Sequence, residues 1–173
     1  MIGIVLEQIL NGLLVGSYYI VLSLGLSIIF SLGGVVNLAH GAFYALGAYF
    51  AYEVQRRLGF GGAVVLSPVG VALVGIVIER LFLRRLYRED PMLGLLFTFG
   101  LAMTAEQSLR LIWGTTGLNF SIPDALRGQL LLGDFIYSYY RLTVLAVTML
   151  AVTGCWLLLN KTNLGLVIRA GTS

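Results

Sequence analysis

Residues able to do chemistry are few in this chain. Among 173 residues there is one imidazole, His40, and one thiol, Cys155. His40 belongs to the run Asn37-Leu38-Ala39-His40-Gly41, which places an amide, an imidazole and a glycine within five positions. A helix starting at this point aims its first backbone N–H groups and its positive dipole end at whatever lies before it, an arrangement suited to a carboxylate. The same residues also have an architectural use, with Asn37 capping the helix and His40 bonding a neighbouring carbonyl. The second candidate is Glu106, an acid inside an apolar stretch, with Gln107 beside it and Arg110 one turn on. An acid in a membrane segment is a functional candidate, and an i,i+4 pair with Arg110 is its structural counterpart.

Hydrolytic chemistry finds no such footing. There is no Gly-x-Ser-x-Gly, no His-Glu-x-x-His, and no glycine-rich phosphate loop leading to a Lys-Ser/Thr pair. A membrane Ser-His dyad needs a serine beside His40, yet the serines recur at packing intervals. A single cysteine in an apolar run allows neither an intrachain disulfide nor a thiol metal cluster. No catalytic residue, metal or cofactor is therefore expected.

The elements that hold these residues are apolar helices. Hydrophobic residues make up 58% of the chain and charged residues 11%, with a mean hydropathy of +0.93. Soluble domains carry about 25% charged residues, so this is the composition of a polytopic membrane protein with an all-α fold and no separate soluble domain. The net charge of +3 is small and its arginines gather beside helix ends, which excludes a nucleic-acid surface. From Gln8 to Tyr52 there is no Asp, Glu, Lys or Arg. One helix over that run, at about 1.5 Å per residue, spans roughly 68 Å, more than twice a hydrocarbon core of ~30 Å. The chain must therefore break, and Gly33-Gly34 is the place.

About five spans are expected. The first covers 7–32 and is retained, because the N-terminus lacks a basic signal-peptide start. It carries Gly12 and Gly16, then Ser23, Ser27 and Ser31, a small-residue stripe suited to helix packing. The second, 35–54, ends in a polar turn at Arg56-Arg57. The third, 61–78, contains Ser67-Pro68 and a kink is expected there. Glu79 to Arg88 alternates arginine with apolar residues, as a helix in the headgroup layer does. Asp90-Pro91 starts the fourth span, with Asp as N-cap and Pro at the first helical position, and it runs to Trp113. Residues 114–134 form the longest loop. The fifth span follows an aromatic belt at Tyr137-Ser138-Tyr139-Tyr140 and ends near Leu159. Arg80, Arg84, Arg85, Arg88, Lys161 and Arg169 fall on one side, against Arg56, Arg57, Arg127 and Arg141 on the other. By the positive-inside rule the N-terminus lies outside and the C-terminus in the cytoplasm, with Asn37 and His40 near the cytoplasmic side unless the break sits deeper.

Several blocks taken together resemble a known family. They are Asn11-Gly12-Leu13-Leu14-Val15-Gly16-Ser17-Tyr18-Tyr19, Leu24-Gly25-Leu26-Ser27, Asn37-Leu38-Ala39-His40-Gly41 and Gly47-Ala48-Tyr49. Later in the chain come Glu79-Arg80, Leu96-Phe97-Thr98-Phe99-Gly100-Leu101 and Thr162-Asn163-Leu164-Gly165-Leu166-Val167-Ile168-Arg169-Ala170-Gly171. In this order they are similar to the LivH-type permeases of branched-chain amino-acid ABC importers. In this chain Ala42 and Phe43 follow Gly41, where family members often carry an acid. The resemblance implies an incomplete ABC importer permease fold, with 1–173 as a single transmembrane permease domain from the N-terminal part of a longer protein. It implies a multi-pass protein of a bacterial-type inner membrane that imports branched-chain amino acids or a related small polar solute. Its implied partners are a second LivM-type permease, two cytoplasmic ATPase subunits, an extracytoplasmic solute-binding protein and the lipid bilayer, with no nucleic acid. ATP hydrolysis belongs to the partner subunits. Residues 160–173 would begin the cytoplasmic coupling loop, with Leu164, Gly165, Ile168 and Arg169 facing the ATPase. Asn37, His40, Gly41 and Glu106 are the candidates for the solute pathway. The alternative is a membrane scaffold that only packs with partner helices.

Overall fold

The computed structural model describes residues 2–33, 36–87, 89–132, 135–162 and 165. The chain divides into two compact units, residues 1–25 with 122–173, and residues 26–121. Four helical segments among the described residues are long and apolar enough to cross a membrane: Gly3–Ser31, His40–Leu86, Pro91–Trp113 and Tyr139–Lys161. The fold is helical and polytopic, as the composition dictates.

Helix α1 runs Ile2–Gly33 and stops at the first glycine of the expected break. Helix α2 runs His40–Ile78, so the second span starts at His40 and not at Val35, because Leu38 and Ala39 are taken up in a turn. Within α2 one residue leaves helical geometry, Gly59, at φ 75 and ψ −179. That combination is essentially open to glycine alone. It folds α2 into two antiparallel arms of about 19 residues, roughly 28 Å each and sufficient to span. The arms touch where glycine permits: a Cβ on Gly47 would stand 3.5 Å from Val71 Cγ2, and one on Gly70 would stand 3.0 Å from the Phe50 ring. The second and third expected spans are these arms. The reversal takes one residue where a short polar turn was expected, and the first arm continues past Val54 to Leu58.

The backbone dihedrals remain helical through Pro68, where a kink is expected from sequence. The second arm then passes into a π-helical turn, Glu79–Leu83, marked by a bond from the Arg84 N–H to the Glu79 carbonyl, and into α3, Arg84–Leu86. The stretch expected as a separate headgroup helix thus prolongs the arm. Helix α4, Pro91–Trp113, follows its sequence signals: Asp90 accepts from the Met92 N–H at 2.9 Å, proline opens the helix, and Gly114 ends it at φ 82. Phe82 stacks on Phe97 at 5.4 Å and joins the π-turn to α4.

In the other unit, Asp124–Leu126 forms a 3-10 turn, and β1, Gln129–Leu132, pairs antiparallel with β2, Phe135–Ser138. This hairpin lies in and just beyond the expected loop. Tyr137, expected in an aromatic belt, is instead 2% exposed and stacks against Phe135. Helix α5 runs Tyr139–Lys161, and its Arg141 donates to Asn11 Oδ1 of α1 at 2.8 Å. Gly128 is required beneath Tyr139, because a Cβ there would stand 2.6 Å from the ring.

Candidate functional site

The site is built on the turn between α1 and α2. Asn37 makes the turn with two acceptors: its Oδ1 takes the Ala39 N–H at 3.0 Å and its carbonyl takes the His40 N–H at 3.2 Å. The Leu38 N–H instead donates to Thr98 Oγ1 on α4 at 3.2 Å, and that hydroxyl donates to the Leu95 carbonyl at 3.1 Å. Three consecutive non-helical amides are thereby satisfied. Ala39 and Thr98 are each 1% exposed and shield these part-buried bonds from one side, and an amide left unpaired there costs roughly 1–3 kcal/mol.

The turn joins helices of membrane-spanning length, where non-helical backbone is tolerated only if protein buries it or it lines a cavity. Beside the turn is an apolar pocket of about 80 Å³, lined by Ala39, Ala42, Phe43 and Leu46 of the first arm, Val74 and Ile78 of the second, and Leu101 and Ala105 of α4. No side chain caps α2. With the amides of residues 38 to 40 in use, the next donors along that helix are those of Gly41 and Ala42.

The candidates from sequence separate accordingly. Asn37, His40 and Gly41 are together at the turn, where Asn37 is structural in its contacts and the half-buried His40 imidazole has no hydrogen bond to another described residue. Glu106 is not among the residues lining the pocket. It lies two helical turns beyond Thr98, half-exposed, with Oε1 2.6 Å from Arg110 Nη2. Gly12 and Gly16 have no atom within 4 Å of where a Cβ would stand, and Ser23 and Ser27 are exposed, so this chain alone leaves the stripe open. Of the proposed coupling residues, Leu164, Ile168 and Arg169 lie outside the described residues, and the Gly165 N–H donates to Thr162 Oγ1 at 3.4 Å. No group of three or more His, Cys, Asp or Glu suited to a metal occurs among the described residues.

Two functional contacts escaped the sequence reading. Thr98 was quoted within a block but given no role, since its partner is 60 residues away. Glu53 was passed over. At the opposite end of the 26–121 unit it accepts from Trp113 Nε1 at 3.0 Å and lies 3.5 Å from Arg56 Nη1, with Tyr49 packed 5.0 Å from the indole. Nearby, Gln55 donates to the Ser121 carbonyl and Phe60 meets Phe120 edge-on at 6.2 Å.

Apolar helices of spanning length around a turn whose amides are bonded define a multi-pass helical membrane protein. Residues 8–172 match the family described as branched-chain amino acid transport system, permease component, and the chain belongs to that family. It is 27% identical over 180 residues to the high-affinity branched-chain amino acid transport system permease protein BraD of Pseudomonas aeruginosa. To the corresponding permease protein LivH it is 24% identical in Escherichia coli K12 and 23% in Salmonella typhimurium, over 184 residues each. Each alignment covers 95% of this chain and 58% of the relative, so the chain spans little more than half the length of the proteins it matches. No solved structure gives a significant match. The relatives are permease components of multi-subunit transport systems.

Proposed function

We infer that this chain contributes the N-terminal helices of a permease subunit in an ATP-driven importer of branched-chain amino acids or a related small polar solute, in a bacterial-type inner membrane. The observation that carries this reading is the Leu38–Thr98 hydrogen bond. It ties together two sequence blocks 60 residues apart, Asn37 to Gly41 and Leu96 to Leu101, both of which carry the family resemblance. In this reading the Gly41 and Ala42 amides at the positive end of α2 meet the solute carboxylate, and the adjoining apolar pocket takes an aliphatic side chain. His40 borders the same path. Glu106, engaged with Arg110, is assigned to structure.

The chain forms one transmembrane domain that pairs with a second, LivM-type permease, with two ATPase subunits on the cytoplasmic face and a solute-binding protein on the other. Residues 160–173 start the segment that meets the ATPase, with Leu164, Gly165, Ile168 and Arg169 as contacts. Uptake of labelled leucine, urea and a short amide by proteoliposomes holding the assembled complex tests the reading. ATP-dependent accumulation of leucine is the expected result. Failure to accumulate any of the three, in a complex that still assembles, would leave the chain a scaffold. Crosslinking from Ile168→Cys to the ATPase tests the coupling segment, which is discarded if no nucleotide state gives a product.

A further inference from the structure

The arginines of the described chain fall into two groups. Arg56, Arg110 and Arg127 pair with Glu53, Glu106 and Asp124, while Arg141 bonds Asn11 and lies 6.0 Å over the Tyr137 ring. Arg57, alone at the Gly59 end, and Arg80, Arg84 and Arg85, close together in the π-turn and α3, are exposed, and none has an acceptor or ion-pair partner among the described residues. Glu79 and Glu89 are near in sequence but not within ion-pairing distance, and the Asp90 carboxylate is occupied by the Met92 N–H.

The π-helical turn changes how the three arginines are spaced around the helix. In a regular α-helix Arg80 and Arg84 share a face and Arg85 points away from it. The bond from the Arg84 N–H to the Glu79 carbonyl closes an i,i+5 turn, which sets residues five apart nearly one above the other and so draws Arg85 toward the face of Arg80. Their level is also fixed. Arg80 lies 20 residues beyond Phe60 on an arm that is apolar through Ile78, about 30 Å, which equals the thickness of the hydrocarbon core. Exposed Leu81 and Phe82 flank the first arginine and can remain in the acyl boundary while the guanidinium groups reach outward.

We propose that Arg80, Arg84 and Arg85 form a binding site for the headgroup of an anionic phospholipid. Three cations without carboxylate partners, on a helix with apolar flanks, are complementary in charge and position to a lipid phosphate and to no group among the described residues. Guanidinium binds phosphate through paired donors, so lysine is not an equal replacement.

The test is competitive lipid retention. The purified full chain is delipidated, equilibrated with equal amounts of phosphatidylglycerol and phosphatidylcholine, and its bound lipid is read by native mass spectrometry. Phosphatidylglycerol should be retained about tenfold over phosphatidylcholine, and each arginine near an anionic surface is worth about a fivefold change in partitioning. Arg84→Gln alone should lower the preference about fivefold, the triple Arg80→Gln/Arg84→Gln/Arg85→Gln should abolish it, and Arg57→Gln should leave it unchanged. If the triple variant does not fold, the single variant and salt decide, because raising sodium chloride to about 0.5 M should collapse the wild-type preference. Equal retention of the two lipids by the wild type, or a preference that survives Arg84→Gln and salt, overturns the proposal. So does displacement of phosphatidylglycerol by millimolar inorganic phosphate, which would make this a site for the free anion.

Discussion

The two ends of the 26–121 unit solve opposite problems. At the end holding Gly59 and Trp113, most polar groups find partners within the chain: Glu53 takes both the Trp113 N–H and Arg56, Gln55 holds the Ser121 carbonyl, and Phe60 meets Phe120, with Arg57 the exception among the described residues. The two glycines with positive φ among the described residues, Gly59 and Gly114, are found there as well. At the other end the amides of the turn are consumed by Asn37 and Thr98, while Arg80, Arg84 and Arg85 are without partners among the described residues. One end is closed by its own contacts. The other is complete in its backbone and incomplete in its charge, as expected of a face that must meet something outside the chain.

That contrast can be broken at several points. The largest effect is expected at Gly59, where any Cβ meets backbone angles reserved for glycine. Gly59→Val should destabilise the hairpin of arms by about 3 kcal/mol and weaken a disulfide formed between cysteines placed at Gly47 and Val71. An unchanged crosslink would mean that the reversal does not depend on glycine. Next comes Thr98→Val, which keeps the shape and removes the acceptor of the Leu38 N–H, for a loss of roughly 1–3 kcal/mol in unfolding assays. Thr98→Ser should recover most of it, and hydrogen exchange at the Leu38 amide should quicken only in the valine variant. Trp113→Phe removes the donor to Glu53 and keeps a ring against Tyr49, so a cost near 1 kcal/mol is expected, with faster exchange confined to the Gly59 end. The smallest effect belongs to Glu106→Gln. Both members of that pair are 54% exposed, so its loss should change stability by no more than about 0.5 kcal/mol and leave leucine uptake near the wild-type level. A large fall in uptake with stability intact would return Glu106 to the solute pathway.

What could be read from sequence follows the range of the forces involved. The charge-free run and the glycine pair placed the end of α1 at Gly33, and Asp90-Pro91 marked the start of α4, because capping is local to a few residues. Arg56-Arg57 marked the region of the reversal but not the single glycine that performs it. The start of α2 was missed by five residues because Leu38 spends its amide on Thr98, a partner that no local pattern reveals. The contact between Glu53 and Trp113 escaped notice for the same reason. The hairpin Gln129–Ser138 did carry a signal, a Gly-Asp pair between two short apolar runs, but the polar surroundings of 114–134 masked it. Asn37 and His40 were found by residue type, whereas the bond that ties their turn to α4 required the fold.

The reversal at Gly59 also bears on motion. Helices joined by long loops can slide past one another, because the loop has chain to pay out. Two arms turned on one residue and keyed by Gly47 against Val71 and Gly70 against Phe50 have no such slack. Any displacement of the Asn37 turn must therefore carry both arms as a single lever, pivoting from the end where Glu53 and Trp113 hold it.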